Sequence, residues 1–282
     1  MFLPKEFVLA DAIHCGELID QAYAQYQLAL QPAKPAWVIQ DGYTWNGTFS
    51  AGENGKSLPF GFVASKNGVF YVVIRGTQTP LEWFDDASIH PTPFRDGWGN
   101  TTAGFLSIHE QIFPTILKII EGQRTNIQNL FVTGHSLGAA LAKLAAADLI
   151  ASGGAAVKPT LYTFSGPRVG DATFAAKFKE QGLAAWRIFN TEDIVPTLPL
   201  STLEANPESI LGLFESKIEL LLKLILKETD FVFQHVDEPV AVTYQRNTIP
   251  DNHNLTYLYQ FLGNHAPSVL APKIAGISPE VS

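Results

Sequence analysis

The sequence has a single cysteine, Cys15, in 282 residues, so an intrachain disulfide is excluded. That fits a reducing compartment without excluding secretion. Clustered positive charge is also missing. The formal net charge is −8 and no run of Lys and Arg occurs, which argues against a nucleic-acid partner. The first residues, MFLPKEFVLADAIH, lack the basic stretch and long apolar core of a secretory signal. Localisation stays open between a cytoplasmic protein and a secreted one whose signal has been removed. No His/Cys/Asp cluster has metal-ligand spacing, so neither a metal nor a cofactor is expected. Internal repeats and low-complexity linkers are absent. Charged residues make up only 16% against 46% hydrophobic, which argues against disorder and for a sizeable core.

What is present alternates. Residues 10–30 carry Ile13, Leu18, Ala22, Tyr26 and Leu30 at a roughly helical period. Residues 61–65 and 69–75 are β-rich runs separated by Asn67-Gly68, a hairpin signal. Residues 105–120 form a helical pattern in which Pro114 marks a kink or a boundary. Short apolar runs at 130–133, 161–164, 186–189 and 240–244 read as strands with helical patterns between several of them. This predicts an α/β fold in one domain spanning 1–282, with a mostly parallel central sheet and helices on both faces.

The most informative stretch is FVTGHSLGAALAKL, residues 131–144. Gly134-His135-Ser136-Leu137-Gly138 matches G-x-S-x-G, a strand-to-helix turn that holds a serine nucleophile in a strained conformation. The residues two before and two after the serine must be small, because neighbouring backbone crosses there. A strand precedes the turn, and the helix after it is rich in alanine, which allows close packing on the sheet. The helix N-terminus brings free N–H groups and the positive end of a dipole beside Ser136. Without that context the motif would mark only a Gly-rich connection. His135 adjoins the serine on a sharp turn, so its side chain should point away from the hydroxyl; it reads as structural.

A serine hydroxyl needs a general base, and the base an orienting acid. Elbow serines take these partners in the chain order serine, acid, histidine. Asp193 lies in FNTEDIVPTLP at the carboxyl end of a strand, where open α/β sheets place their sites. Glu192 should face the other side of an extended turn, and Asp171 opens a helix and suits an N-cap better. Three histidines lie downstream. His253, in PDNHNLTYLYQFL after the last strand and before a short helix, is the candidate base. His235 reads as a core or supporting group, and His265 as part of a polar turn.

These residues resemble the class 3 lipases, the fungal-lipase-like branch of the α/β-hydrolase fold. The likeness runs from about residue 60 to residue 262 through VVIRGTQTPLEWFDD, AGFLSIHEQI, VTGHSLGAALAKLAA, YTFSGPRVGDATFA, NTEDIVPTLP, FQHVDEPV and NHNLTYLYQF. Ser165 and Asp171 are small departures, and the first sixty residues match only as a helix and loop. The family's usual disulfides are impossible here. The resemblance implies that Thr77 forms an oxyanion hole with its backbone N–H and hydroxyl. Leu137 would supply a second backbone N–H, as the elbow geometry also suggests. It implies a lid at about 78–95, with Trp83 and Phe84 as apolar contacts. Family lids of this kind swing aside at an oil–water interface. Thr79, Pro80 and Glu82 form a capping pattern at the lid's start, and Asp85-Asp86 could anchor it.

The largest departure is an apolar helical insertion at about 201–230. Residues 208–227, ESILGLFESKIELLLKLILK, would make a helix of roughly 30 Å with one narrow polar stripe. The charges between Glu215 and Lys223 argue against a transmembrane segment. A buried core helix and a cap over a lipid-accepting pocket both fit. The expected activity is hydrolysis of lipid esters by Ser136, His253 and Asp193 through an acyl-enzyme, with a lipid or other ester as the partner and oligomeric state open. A phospholipase A1 or galactolipase of the same fold would share every residue. A feruloyl-type esterase fits the apolar insertion less well. A non-catalytic lipid-binding relative would be expected to lack one of the three.

Overall fold

Strand periodicity divides the side chains between two cores. Along the strand of residues 69–74, Phe70, Val72 and Ile74 enter one buried cluster, while Val73 enters another on the opposite face. A sheet buried on both faces needs cover on both, and the elements supply it. The computed structural model describes residues 3–4, 6–33, 36–53, 55–77, 89–199 and 232–265. Trp83, Phe84 and the rest of 78–88, together with the whole insertion at 201–230, lie outside the described residues.

The main sheet joins β1 (Thr44–Glu53), β2 (Lys56–Lys66), β3 (Val69–Ile74), β6 (Asn129–His135), β7 (Thr160–Phe164), β8 (Ala185–Asn190) and β9 (Glu238–Val242), in that spatial order. The first three strands pair antiparallel; every later pairing is parallel. A two-stranded sheet of β4 (Pro91–Pro93) and β5 (Asn100–Thr102) stands apart. On one face lie α2 (Ala103–Gly122) and α3 (Leu137–Ala151), whose Phe105, Ile112, Ile116 and alanines fill the first cluster. On the other lie α1 (Leu9–Leu30) and α6 (Leu255–His265), which contribute Leu18, Ile19, Leu258 and Leu262 to the second. The other α-helices among the described residues are α4 (Ala172–Glu180) and the single turn α5 (Ile249–Asn252).

Local signals explain most boundaries. Asn67 and Gly68 take φ of 52° and 78°, the pair of positive angles that a two-residue hairpin turn requires. Thr102 caps α2 by accepting from the Phe105 N–H, and Asp171 caps α4 by accepting from the Phe174 N–H. Three details differ from the sequence pattern. Pro114 neither ends nor divides α2, which runs through it. Leu30 shares the helical period of Leu18, Ala22 and Tyr26 but is exposed, and the buried residues of α1 end at Tyr26. His265 is the last residue of α6 rather than part of a turn. Strand β1 was not legible as a strand. Its register slips between Trp45 and Gly47 and again between Phe49 and Ser50, and those irregularities erase the period of two.

Helix α3 is buried almost all round, and of its two charged residues, Lys143 and Asp148, Lys143 is fully buried. Lys143 Nζ meets Asp237 Oδ2 at 3.1 Å, and the same oxygen accepts from Thr163 Oγ1 at 2.8 Å. Arg187 Nε stands 3.5 Å from Asp237 Oδ1. Burial opposes the Asp237 charge, but Lys143, Arg187 and His235 together outweigh it and hold the carboxyl below its ordinary value. The cluster ties the elbow helix to β7, β8 and the approach to β9. Breaking such a pair by deleting one partner typically costs about 3 kcal/mol or more. Lys143→Met is therefore expected to lower stability in urea unfolding by about that amount, and Lys143→Met with Asp237→Leu by less than Lys143→Met alone. A single variant as stable as wild type would contradict this account.

Ser165 makes a second test. It follows β7 with φ of 47°, and its buried hydroxyl has no hydrogen-bond partner among the described residues. A non-glycine residue in that region is strained by about 1 kcal/mol. Ser165→Gly should raise stability by roughly that amount, measured as a shift of the denaturation midpoint at unchanged slope.

Candidate active site

Parallel register brings the site to one edge of the sheet. Ile74 at the end of β3 pairs with Gly134 of β6, His135 pairs with Phe164 of β7, and Asn190 at the end of β8 pairs with Val242 of β9. The segments that continue from these ends carry Thr77, Ser136 and Asp193. His253 follows β9 through α5.

Ser136 sits between β6 and α3 with φ of 58° and ψ of −125°, a strained pair of angles for a residue with a side chain. Its N–H is held by the Phe164 carbonyl at 2.9 Å. Glycine is required around it for contact reasons. A Cβ on Gly134 would run into the backbone of Gly138, and one on Gly138 into the carbonyls of Ile74 and Arg75. A third glycine, Gly76, is equally constrained. A Cβ there would lie 2.7 Å from the His135 carbonyl oxygen and 2.9 Å from Ser136 Cβ. Gly76 thus lets the turn carrying Thr77 lie directly against the serine. Sequence reasoning did not single out this residue; its signal was the R-G-T run at the end of an apolar strand.

Arg75 anchors that turn. It is fully buried, with its guanidinium 3.6 Å from the Tyr26 ring centroid and 4.3 Å from that of Phe60. It donates to the Pro59 carbonyl and to the Gly76 carbonyl, each at 2.7 Å. Thr77 is half-buried, and its Oγ1 has no hydrogen-bond partner among the described residues. Leu137 is buried as the first residue of α3, so its N–H belongs to the helical turn that has no acceptor within the helix.

Asp193 and His253 are brought together across 60 residues. His253 Nδ1 donates to Asp193 Oδ2 at 2.8 Å, in a buried contact. The other carboxylate oxygen accepts from the Val195 N–H at 3.0 Å, so Asp193 is held at both ends. A carboxylate only accepts, which puts the imidazole proton on Nδ1 and leaves Nε2 with a lone pair. His253 Nε2 and Ser136 Oγ are both buried and have no hydrogen-bond partner among the described residues. Glu192, the neighbouring acid, is exposed, and Asp171 is occupied as a helix cap.

Asn190 is a further residue that sequence reasoning missed. Its Nδ2 donates to the Asn252 carbonyl at 3.3 Å, and its Oδ1 accepts from the Tyr244 N–H at 3.1 Å and the Glu192 N–H at 3.3 Å. One buried amide thereby joins the loop of Asp193 to the loop of His253. His135 points away from the serine: Nδ1 faces the Tyr23 hydroxyl at 2.8 Å, and Nε2 faces the His253 carbonyl at 2.9 Å. His235 lies elsewhere, donating to the Pro196 carbonyl at 2.8 Å.

A sequence profile described as Lipase (class 3) matches residues 71–203, which take in Thr77, Ser136, Leu137 and Asp193. Residues 71–203 are thus similar to the class 3 lipase family. Among curated relatives, phospholipase A1-Igamma2 of Arabidopsis thaliana is 29% identical over 206 residues, 61% of this chain and 36% of that protein. Lipase II from Rhizopus niveus has a similar solved structure, at 26% identity and a TM-score of 0.56, covering 69% of this chain and 77% of that one. A triacylglycerol lipase whose catalytic centre is formed by a serine protease triad aligns at 25% identity and a TM-score of 0.57, covering 69% and 76%. These neighbours share the α/β-hydrolase fold seen here. The chain spans between a third and a half of the length of the curated plant relatives, 36%, 50% and 46% of the first three. No described helix is long and apolar enough to cross a membrane.

The electrostatics predict an acid-sensitive fold. Burial, reinforced by the charges of Lys143 and Arg187, pulls the His235 imidazole from 6.5 to about 3. The unfolded imidazole gains its proton as pH falls through about 6.5, while the folded one stays neutral until about 3. Its contribution to stability is complete above the upper value and is lost as pH falls toward the lower. Wild type should therefore lose more stability between pH 7 and pH 4 than His235→Gln. Parallel stability–pH curves for the two proteins would refute the assignment.

Proposed function

We propose that this protein is a serine carboxylic-ester hydrolase of the class 3 lipase family, acting on lipid esters. The observation that carries the reading is the buried His253–Asp193 bond of 2.8 Å beside a strained, buried Ser136. The histidine tautomer set by Asp193 leaves a basic Nε2, and Ser136 Oγ is the hydroxyl at the elbow. In the proposed reaction the hydroxyl attacks the ester carbonyl while His253 takes its proton, and Asp193 stabilises the imidazolium. The backbone N–H groups of Thr77 and Leu137, with the Thr77 hydroxyl, bind the oxyanion. Loss of one such donor typically costs about two to three orders of magnitude in rate. His253 then protonates the leaving alcohol, and water, deprotonated by the same imidazole, releases the acid. No step needs a metal or cofactor.

A lipid substrate is supported by the named activities of the similar proteins, which divide between triacylglycerol lipase and phospholipase A1. The phospholipase reading is favoured as the alternative because the first three curated relatives carry that name. The test is hydrolysis of short- and long-chain p-nitrophenyl esters, a triacylglycerol, a diacyl phospholipid and a galactolipid by wild type and by Ser136→Ala. Wild type is expected to release acid from at least one lipid. The variant should lose about four orders of magnitude or more in kcat. Equal rates for the two proteins would sink the mechanism, and release from the phospholipid alone would select the alternative.

A further inference from the structure

We propose that Tyr23 of α1 and His135 of the elbow are positioning residues, a hydrogen-bonded bridge that holds the oxyanion turn and the base histidine in register with Ser136. The proposal rests on the serine-hydrolase reading above.

The bridge has three hydrogen bonds. The Gly76 N–H donates to the Tyr23 hydroxyl oxygen at 3.0 Å. The Tyr23 hydroxyl and His135 Nδ1 stand 2.8 Å apart, and His135 Nε2 and the His253 carbonyl 2.9 Å apart. The His135 and His253 rings also lie against each other, with centroids 4.6 Å apart. The direction of every proton follows from the ends. A carbonyl oxygen can only accept, so His135 must carry its proton on Nε2. A neutral imidazole then accepts at Nδ1, so Tyr23 must donate there and its oxygen is free to accept from Gly76. The sequence is Gly76 N–H to Tyr23 O–H to His135, and from His135 N–H to the carbonyl of His253.

The electrostatics keep both groups in the states this chain requires. Burial first, and then the neighbouring His253, pull His135 well below its ordinary value, so it stays neutral. Burial pushes the Tyr23 phenol up, so it keeps its proton. A protonated His135 would present a second donor to Tyr23 and a positive charge to the ring of His253, whose imidazolium the reaction must form.

Each end of the bridge grips a part of the site. Gly76 immediately precedes Thr77, and a Cβ on Gly76 would lie 2.6 Å from the Tyr23 hydroxyl, so helix and turn are in direct contact. His135 immediately precedes Ser136. The His253 carbonyl belongs to the residue whose ring meets Asp193. The Asp193 bond fixes the His253 side chain, and the His135 bond fixes its backbone. Neither Tyr23 nor His135 reaches the ester in this arrangement. Their effect would be on the placement of groups that do, and a displacement of about 1 Å can cost about a hundredfold in rate.

The test uses the full chain with a soluble p-nitrophenyl ester and separates kcat from KM. Tyr23→Phe deletes one oxygen and should lower kcat by about tenfold to a hundredfold with KM little changed. His135→Gln keeps a donor for the His253 carbonyl and should retain more kcat than His135→Leu, which keeps none. Wild-type kcat in Tyr23→Phe and His135→Leu, with thermal unfolding confirming folded protein, would overturn the proposal. A second measurement needs no variant: in 15N-histidine-labelled wild type the His135 proton is expected on Nε2, and a proton found on Nδ1 would also overturn it. Ser136→Ala serves as the control. If that variant stays active the hydrolase reading fails; if it is inactive while Tyr23→Phe is unimpaired, only the bridge fails.

Discussion

Everything at the site depends on how closely three stretches of backbone approach at the end of β6. The elbow brings Gly134 against Gly138, Gly138 against the carbonyls of Ile74 and Arg75, and Gly76 against His135 and Ser136. A methyl group at any of these positions would force the segments apart. Because they touch, the strained φ of Ser136 is over-determined by its surroundings and persists. The contact also aligns the turn of Thr77 with the first amide of α3, so two candidate oxyanion donors come from segments more than fifty residues apart. The alanine surface of α3 belongs to the same constraint, since a helix entering from so tight a turn must lie close to the sheet.

Around that crossing the protein spends polar groups where apolar ones would seem natural. Arg75 lies stacked between Tyr26 and Phe60 while its donors grip Pro59 and Gly76. Asn190 gathers the two loops of Asp193 and His253, and Lys143 with Asp237 binds the elbow helix to the strands behind them. Hydrophobic burial is non-directional and would let these parts slide. Buried hydrogen bonds have fixed lengths and directions, and an unpaired partner is costly. The polar skeleton therefore sets geometry, while the two apolar clusters supply the bulk of the stability.

The sequence was most readable where chemistry repeats a local pattern. Asn67-Gly68 announced its hairpin, Asp171 its cap, and G-x-S-x-G its turn, because each is decided by residues close in the chain. The short apolar runs of β6, β7 and β8 stood out because both faces are buried, whereas β9 buries only Val240 and Val242 on one face. Strand β1 was missed because glycine and two bulges break its alternation. Tyr23 was missed for another reason. Its partner His135 lies 112 residues away, and nothing about a tyrosine on an amphipathic helix announces a hydrogen bond to an elbow. Chain order singled out Asp193 and His253, but only the fold shows the carboxylate meeting the imidazole. Arg75 and Asn190 were equally silent, since their partners are backbone atoms that no side-chain pattern records.

The flanks of the segment at 200–231 have a separate importance. On the way out, the Leu198 carbonyl accepts from the Arg168 N–H at 2.8 Å, and the Arg168 guanidinium holds the Thr197 and Pro199 carbonyls. On the way back, Gln234 exchanges hydrogen bonds with Val169 and Gly170, and His235 returns to Pro196. Departure and return are thus moored to the same three residues, 168–170. The described framework therefore closes on itself like a clasp, and the acid-bearing loop between Asn190 and Pro199 is fixed by that clasp from both sides.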